Sequence, residues 1–357
     1  MKNERPAKPS RILVVRLGAM GDVIHAMPAV GALRHALPGC EIGWAIEERW
    51  RALLCSCANS CGGSPNLDMP LVDAVHVVDT KNWRRAIGAR TTREQVRAAI
   101  RAIREREYDV AIDFQGAIKS ALLARVSGAE RRFGFATPRE KLAAMLYSSA
   151  VEAEGAHVIE QNFSLASHVA GKTLTDARAI FPVDARAREW RENVLNAHEV
   201  CRYGILTPGA GWGAKCWPAE RYAAVARELS STGLKLVINY GPAEEALARA
   251  VQTESAGAAK MIPCGIAELI ELTRGAQLFI GGDTGPMHLA AALGVPVVAL
   301  FGPTDPARNG PYGTRSIVLR SEQSRTSYSH RAMLDAGLMS ITVAEVTSAA
   351  MSLLGVQ

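Results

Sequence analysis

Short runs of β-branched and other apolar residues alternate with longer amphipathic stretches along almost the whole chain. The apolar runs 12–17, 41–46, 74–78 and 109–113 predict buried strands. Helical periodicity predicts helices at 23–37, ended by Pro38-Gly39, and at 84–106, 117–126, 139–147 and 157–170. The stretch 171–184 has neither period; Gly171 and Pro182 punctuate it, and it reads as a crossover. A second series follows, with strands at 203–207, 234–239, 261–262, 278–281 and 296–301. Its helices fall at 218–230, 243–253 and 266–274, with a short one after Asp283. Beyond Arg320 the pattern is polar, then weakly helical from 343 to 354. Continuous apolar strands interleaved with helices predict parallel sheets covered on both faces. The expected fold class is therefore α/β, with two doubly wound Rossmann-like domains, 1–175 and 176–357, facing a central cleft. The tail is free to pack back on the first domain.

Composition narrows the function classes. A chain of 357 residues with 48% hydrophobic and 21% charged residues can build two real cores. The net charge of +6 permits an acidic partner without demanding nucleic acid, and no nucleic-acid-binding signature is present. The apolar run 12–15 is too short for a signal peptide or a membrane span, so a cytoplasmic chain is expected. Seven scattered cysteines fit a reducing compartment. Cys55, Cys57 and Cys61 cluster but have no downstream His or Cys pair, so zinc is not expected.

Four constellations fall at strand ends, where ligands of such sheets bind. Gly282-Asp283-Thr284-Gly285-Pro286-Met287-His288 follows the run 278–281. Asp283 or Thr284 is the expected N-cap, and His288 leans back toward the same helix end. Such an end suits a nucleotide diphosphate; a capped core helix is the competing reading. Arg16-Leu17-Gly18-Ala19-Met20-Gly21-Asp22 follows the first strand. Gly18 and Gly21 allow close approach by a ligand, but their spacing is not the three-glycine fingerprint of nicotinamide dehydrogenases. Asp22 at the helix start is either a catalytic group or a cap, and His25 reads as a helix-surface residue.

Thr207-Pro208-Gly209-Ala210-Gly211-Trp212-Gly213-Ala214-Lys215 follows the first strand of the second series. Its glycines let backbone bend toward phosphate and Lys215 adds a point charge, although no Ser or Thr follows as in a Walker A loop. A surface loop with a solvated lysine is the alternative. Lys81, Arg84 and Arg85, with Arg90, Arg93 and Arg97 beyond, form either a solvated face or, with Trp83 among them, a seat for an anionic or amphiphilic partner.

Together these motifs resemble glycosyltransferase family 9, the lipopolysaccharide heptosyltransferases, over about residues 11–320. Gly21-Asp22-Val23, Lys215-Cys216-Trp217-Pro218, Asp283-Thr284-Gly285-Pro286-Met287-His288 and Phe301-Gly302-Pro303-Thr304-Asp305-Pro306 carry the resemblance. Met20-Gly21-Asp22-Val23, Asp113-Phe114-Gln115-Gly116 with Lys119-Ser120, and Arg139-Glu140 are most similar to the heptosyltransferase I branch. The resemblance implies a GT-B fold and inverting transfer of L-glycero-D-manno-heptose from ADP-heptose to the Kdo region of lipid A, in lipopolysaccharide inner-core synthesis. It implies no cofactor, no essential metal and no nucleic acid. It implies peripheral association with the cytoplasmic face of the inner membrane, without a transmembrane segment.

The same resemblance makes Asp22 the general base and Lys215 a diphosphate contact. It places Gly211, Lys215, Glu244 or Glu245, Asp283, Thr284, Gly285 and His288 at the donor. It places Gly18, Gly21, Lys81, Arg84, Arg85, Gln115 and Arg139 at the acceptor. Ala210 and Gly211 stand where heptosyltransferase I can carry hydroxyl residues, and 321–337 has no clear match. The alternatives are a later heptosyltransferase of the same family, or a non-catalytic nucleotide-sugar-binding protein. Asp22 in its glycine loop argues against the latter.

Overall fold

The computed structural model describes residues 9–56, 65–86, 88–209, 215–327 and 335–356. The chain divides into two units, Met1–Val183 and Asp184–Gln357. The division falls later than 175/176 because the crossover stays with the first unit. There Leu174 and Phe181 are buried, and the Val183 N–H donates to the Leu67 carbonyl at 3.0 Å.

The first unit runs β1 (Arg11–Val15), α1 (Met20–Ala36), β2 (Glu41–Glu47), β3 (Ala74–Val78), α2 (Thr80–Arg85), α3 (Arg90–Arg104), β4 (Val110–Asp113), α4 (Ile118–Val126), β5 (Arg131–Phe135), β6 (Ser149–Val151) and α5 (Val158–Ala170). Its strands form one parallel sheet in the order β3-β2-β1-β4-β5-β6. Every carboxyl end thus lies on one edge, and the strand order reverses between β1 and β4, which is where doubly wound sheets open for ligands.

The second unit repeats the plan. It runs α6 (Ala185–Ala197), β7 (Tyr203–Thr207), α7 (Ala219–Ser230), β8 (Lys235–Ile238), α8 (Glu245–Glu254), β9 (Ala259–Met261), α9 (Ile266–Arg274), β10 (Phe279–Gly282), α10 (Gly285–Ala292), β11 (Val297–Phe301), α11 (Pro306–Asn309), β12 (Ser316–Arg320), α12 (Ala336–Ser340) and α13 (Val343–Leu354). The parallel order is β12-β11-β10-β7-β8-β9, reversing between β7 and β10.

The central strands Arg11–Val15 and Val297–Phe301 are buried on both faces, as their unbroken apolar runs require. The tail helix α13 buries Val346, Ala350 and Leu353 in the second unit's core, beside α7 and β12. Each such aliphatic side chain stabilises by about 1.5–3 kcal/mol. The Trp217 indole and the Arg221 guanidinium hold the Ile341 carbonyl at 3.1 and 2.8 Å. These contacts tie the tail to the second unit.

Several expectations change for physical reasons. The helix foreseen at 84–106 is two, α2 and α3, separated around Gly88. The segment 139–147 forms only a 3-10 turn, Lys141–Leu146. Among the described residues, no helix is long and apolar enough to cross a membrane. His25 is not on a helix surface. It is 4% exposed because α5 covers that face of α1; its ring meets the His157 ring edge-on at 5.4 Å, and Asn162 donates to its carbonyl at 2.9 Å.

Candidate active site

At the end of β1 the chain turns through Gly18 into α1. A Cβ at Gly18 would lie 2.6 Å from the Trp50 indole nitrogen, so only glycine lets the indole cover this turn. Gly21 is buried in the first turn of α1 and serves packing there. Asp22 follows, and both its oxygens are held. Oδ1 pairs with Arg16 Nη2 at 2.7 Å, and Oδ2 accepts from the Ala19 N–H at 3.1 Å. Asp22 thus closes the helix start and still leaves 40% of its side chain exposed.

The end of β4 is organised by a carboxylate that sequence reading gave no role of its own. Asp113 is fully buried and accepts from the Gln115 and Gly116 N–H groups, the Ser120 hydroxyl at 2.8 Å and the Tyr147 hydroxyl at 2.7 Å. Burial pushes its carboxyl upward, opposed by those four hydrogen bonds. The loop it shapes presents Gln115, whose Oε1 accepts from the Leu17 N–H at 2.9 Å. Gly116 takes a φ of 66°, and its missing Cβ leaves room for Pro138 and the Arg139 backbone. Gln115 and exposed Arg139 are therefore neighbours at the end of β4.

Lys81, Arg84 and Arg85 are exposed on α2. Trp83 is not exposed with them; it packs against the core that contains Leu13, Val15 and Ile103. Beneath α2, Glu47 at the end of β2 bonds Thr80, while Lys119 reaches Thr80 at 3.0 Å and Glu47 at 3.7 Å. A charged residue closing an otherwise apolar strand, as in Glu47 and Asp113, is the sequence signal for both anchors.

In the second unit Asp283 directly follows β10, and its side chain is almost wholly buried. Lys215 Nζ meets its Oδ2 at 2.6 Å, and His288 Nε2 meets its Oδ1 at 3.2 Å. Burial alone would raise the Asp283 carboxyl. The His288 hydrogen bond and the charges of His288 and Lys215 outweigh it and hold the group well below the usual carboxylate range. Thr284 is the N-cap of α10, with Gly285 and Pro286 opening the helix. Pro286 has no N–H, and the Met287 and His288 N–H groups donate to the Thr284 carbonyl at 3.1 and 3.3 Å, so what this end offers an anion is chiefly the positive end of the helix dipole.

Beside this cluster, at the ends of β7 and β8, Glu244 turns back over the chain. Its Oε2 accepts from the Gly241 N–H at 2.7 Å, and a Cβ at Gly209 would fall 2.1 Å from its carboxyl carbon. Glu245 points elsewhere, pairing with Arg249 one helical turn on at 2.6 Å. Glu244 is thus the glutamate at the strand ends. Gly211 and Ala210 lie outside the described residues, as do Cys57 and Cys61. Cys55 is buried.

The glycosyltransferase family 9 (heptosyltransferase) model matches residues 96–335, more than half of the chain. The chain is 29% identical over 316 residues to lipopolysaccharide heptosyltransferase 1 of Pseudomonas aeruginosa, covering 87% of this chain and 84% of that protein. It is 26% identical over 296 residues to lipopolysaccharide heptosyltransferase 3 of Escherichia coli, covering 80% of each. The structure of Escherichia coli heptosyltransferase WaaC with ADP matches with a TM-score of 0.77 at 25% identity, covering 96% of this chain and 99% of that one. Two doubly wound units, the strand-end clusters at Asp22 and Asp283, and these likenesses agree: the chain belongs to glycosyltransferase family 9, the heptosyltransferases, and has their GT-B fold.

Proposed function

We propose that this heptosyltransferase moves L-glycero-D-manno-heptose from ADP-heptose to the Kdo region of lipid A, with inversion and without a metal. The observation that carries the reading is the Lys215–Asp283–His288 cluster at the start of α10, on the switch point of the second sheet. Asp283 holds the lysine charge beside a helix N-terminus before any ligand arrives, and such preorganised charge stabilises a departing diphosphate. Thr284, Gly285 and His288 complete that donor seat, and Glu244 takes the nucleoside. The likeness to heptosyltransferase 1 of Pseudomonas aeruginosa spans more of the chain, 87% against 80% for heptosyltransferase 3 of Escherichia coli, which favours the first-heptose reaction.

In the transfer, Asp22 takes the proton of the attacking acceptor hydroxyl. The hydroxyl oxygen bonds to the anomeric carbon as that carbon gains oxocarbenium character, and the bond to ADP breaks with its electron pair on the diphosphate. Lys215 and the positive end of the α10 dipole receive that charge. ADP release tests the reading against a non-catalytic nucleotide-sugar binder: release should require a Kdo-containing acceptor and persist with a chelator present. Release that ignores the acceptor contradicts it.

Two outcomes follow at the substrates. Neutralising Lys81, Arg84 and Arg85 together should raise the acceptor KM about tenfold and flatten its salt dependence, leaving ADP affinity unchanged. An unchanged KM returns them to a solvated face. Gly209→Ala should drive the Glu244 carboxylate off Gly241 and weaken ADP binding about tenfold by calorimetry, with little change in melting temperature. Full ADP affinity in that variant removes Glu244 from the donor seat.

Peripheral membrane association has support from one face. Leu122 on α4 and Leu142 and Met145 on the adjoining 3-10 turn are 47%, 62% and 80% exposed. Exposed Arg125, Arg139 and Lys141 lie near them in the chain, against one exposed carboxylate, Glu140. Apolar tips beside basic residues suit an anionic bilayer. Leu142→Ser with Met145→Ser should reduce co-sedimentation with phosphatidylglycerol vesicles severalfold; unchanged sedimentation contradicts this face.

A further inference from the structure

The Arg16 side chain has no part in the chemistry above, yet it touches the base. It is only 9% exposed. Its Nη1 donates to the Phe114 carbonyl at 2.5 Å, and its Nη2 meets Asp22 Oδ1 at 2.7 Å. Its own carbonyl is fixed by the buried Trp44 indole at 3.0 Å. Phe114 directly precedes Gln115, which in turn holds the Leu17 N–H. One guanidinium therefore joins the end of β1, the end of β4 and the start of α1, the three segments that meet at the switch point of the first sheet.

We infer that Arg16 is a positioning residue for the transfer, fixing the Asp22 carboxylate in the orientation from which it takes the acceptor proton. The inference rests on the reading of Asp22 as the general base. A carboxylate on a partly exposed helix start samples several rotamers unless something restrains it. Here Arg16 restrains one oxygen and the Ala19 N–H the other, so the carboxylate plane is set. Misplacing a catalytic group by about 1 Å can cost roughly 10²-fold in rate. The planar fork of arginine reaches the Phe114 carbonyl and Asp22 at once, whereas a lysine ammonium offers a single centre. The dependence runs both ways, because a buried guanidinium without its carboxylate is costly. The pair is thus a built unit and not a casual surface contact.

A double-mutant cycle tests this in the full chain, using Arg16→Met, Arg16→Lys and Asp22→Asn. Turnover, both KM values and ADP binding are read for each. Arg16→Met should lower kcat about 10²-fold with both KM values within about threefold of the parent, because Arg16 acts through the base and not on substrate. Arg16→Lys should regain about tenfold of that loss. In the Asp22→Asn background, Arg16→Met should cost less than about threefold more. An equal loss in both backgrounds, or parent-like turnover of Arg16→Met, overturns the inference while leaving Asp22 as base. Parent-like turnover of Asp22→Asn overturns the base reading itself and this inference with it. Should Arg16→Met fail to fold, Arg16→Lys carries the same cycle. A loss seen only beside Asp22 supports the inference, and an equal loss in both backgrounds refutes it.

Discussion

Asp22→Asn is expected to lower turnover by about 10²-fold or more, with ADP affinity close to the parent's. The size follows from what the residue does. The acceptor hydroxyl must lose its proton as it attacks, and an amide cannot take it. The selectivity follows from place, since Asp22 lies at the end of β1 while the proposed donor seat is built from β7, β8, β10 and α10. Asparagine keeps the shape but has one acceptor oxygen where the carboxylate uses two, so it can receive either the Ala19 N–H or the Arg16 donor, and a loss of about 1 kcal/mol in stability should accompany the loss of rate. Steady-state kinetics with calorimetry checks the pair of outcomes. Near-parent turnover would leave Asp22 as a helix-closing residue alone.

Lys215→Ala is expected to cost about 2–4 kcal/mol in activation free energy, comparable to loss of one oxyanion-hole donor. Charge on the departing diphosphate grows in the transition state, so kcat should fall more than ADP affinity. Lys215→Arg should restore part of the rate, because its planar head is bulkier than an ammonium. The structure adds a second consequence. Lys215 and Asp283 are nearly buried together, so alanine leaves Asp283 with His288 as its remaining charged partner. The expected loss of stability is about 1–3 kcal/mol, measured by denaturant unfolding.

The pH dependence has a definite sign. The folded Asp283 carboxyl is depressed below its ordinary value of 3.8, so its contribution is fully present above that value. It is lost as pH falls toward the lower folded value. Removing Lys215 should therefore flatten the acid end of the stability curve. Parent-like rate, ADP affinity and unfolding together would reduce Lys215 to a loop charge.

Most of the scaffold was legible because its strands are unbroken apolar runs. The segments 74–78, 203–207 and 266–274 match β3, β7 and α9 residue for residue. Two of the missed elements lack that signal: β5 reads Arg-Arg-Phe-Gly-Phe, and β6 has three residues. In α6 the stripe is present, Trp190, Val194 and Leu195 packing against the core, but charged residues outnumber it, and β12 has only three apolar residues between Ser316 and Arg320. The candidate site was legible where a motif is local. His288 shares the face of Thr284, four residues earlier, and from there leans back onto Asp283 just before the helix.

The site was illegible where partners lie far apart in the chain. Arg16 meets Phe114, Asp113 meets Tyr147, and Trp50 covers Gly18 only because parallel strands bring distant segments to one edge. The choice between Glu244 and Glu245 turned on a helix start that periodicity fixes no better than a residue or two. Trp83 was misread for a related reason. Its neighbours in sequence are exposed cations, but its ring faces the core.

The central claim is the identity of the transfer, and a donor-by-acceptor matrix with mass detection of product tests it most directly. ADP-L-glycero-D-manno-heptose, its D-glycero epimer and other nucleotide sugars would be crossed with Kdo-lipid A and with an acceptor already carrying one heptose. The account predicts one heptose added to the Kdo-lipid A acceptor from ADP-L-glycero-D-manno-heptose, and none to the heptose-bearing one. Product only on the heptose-bearing acceptor, or only from a different nucleotide sugar, would contradict it.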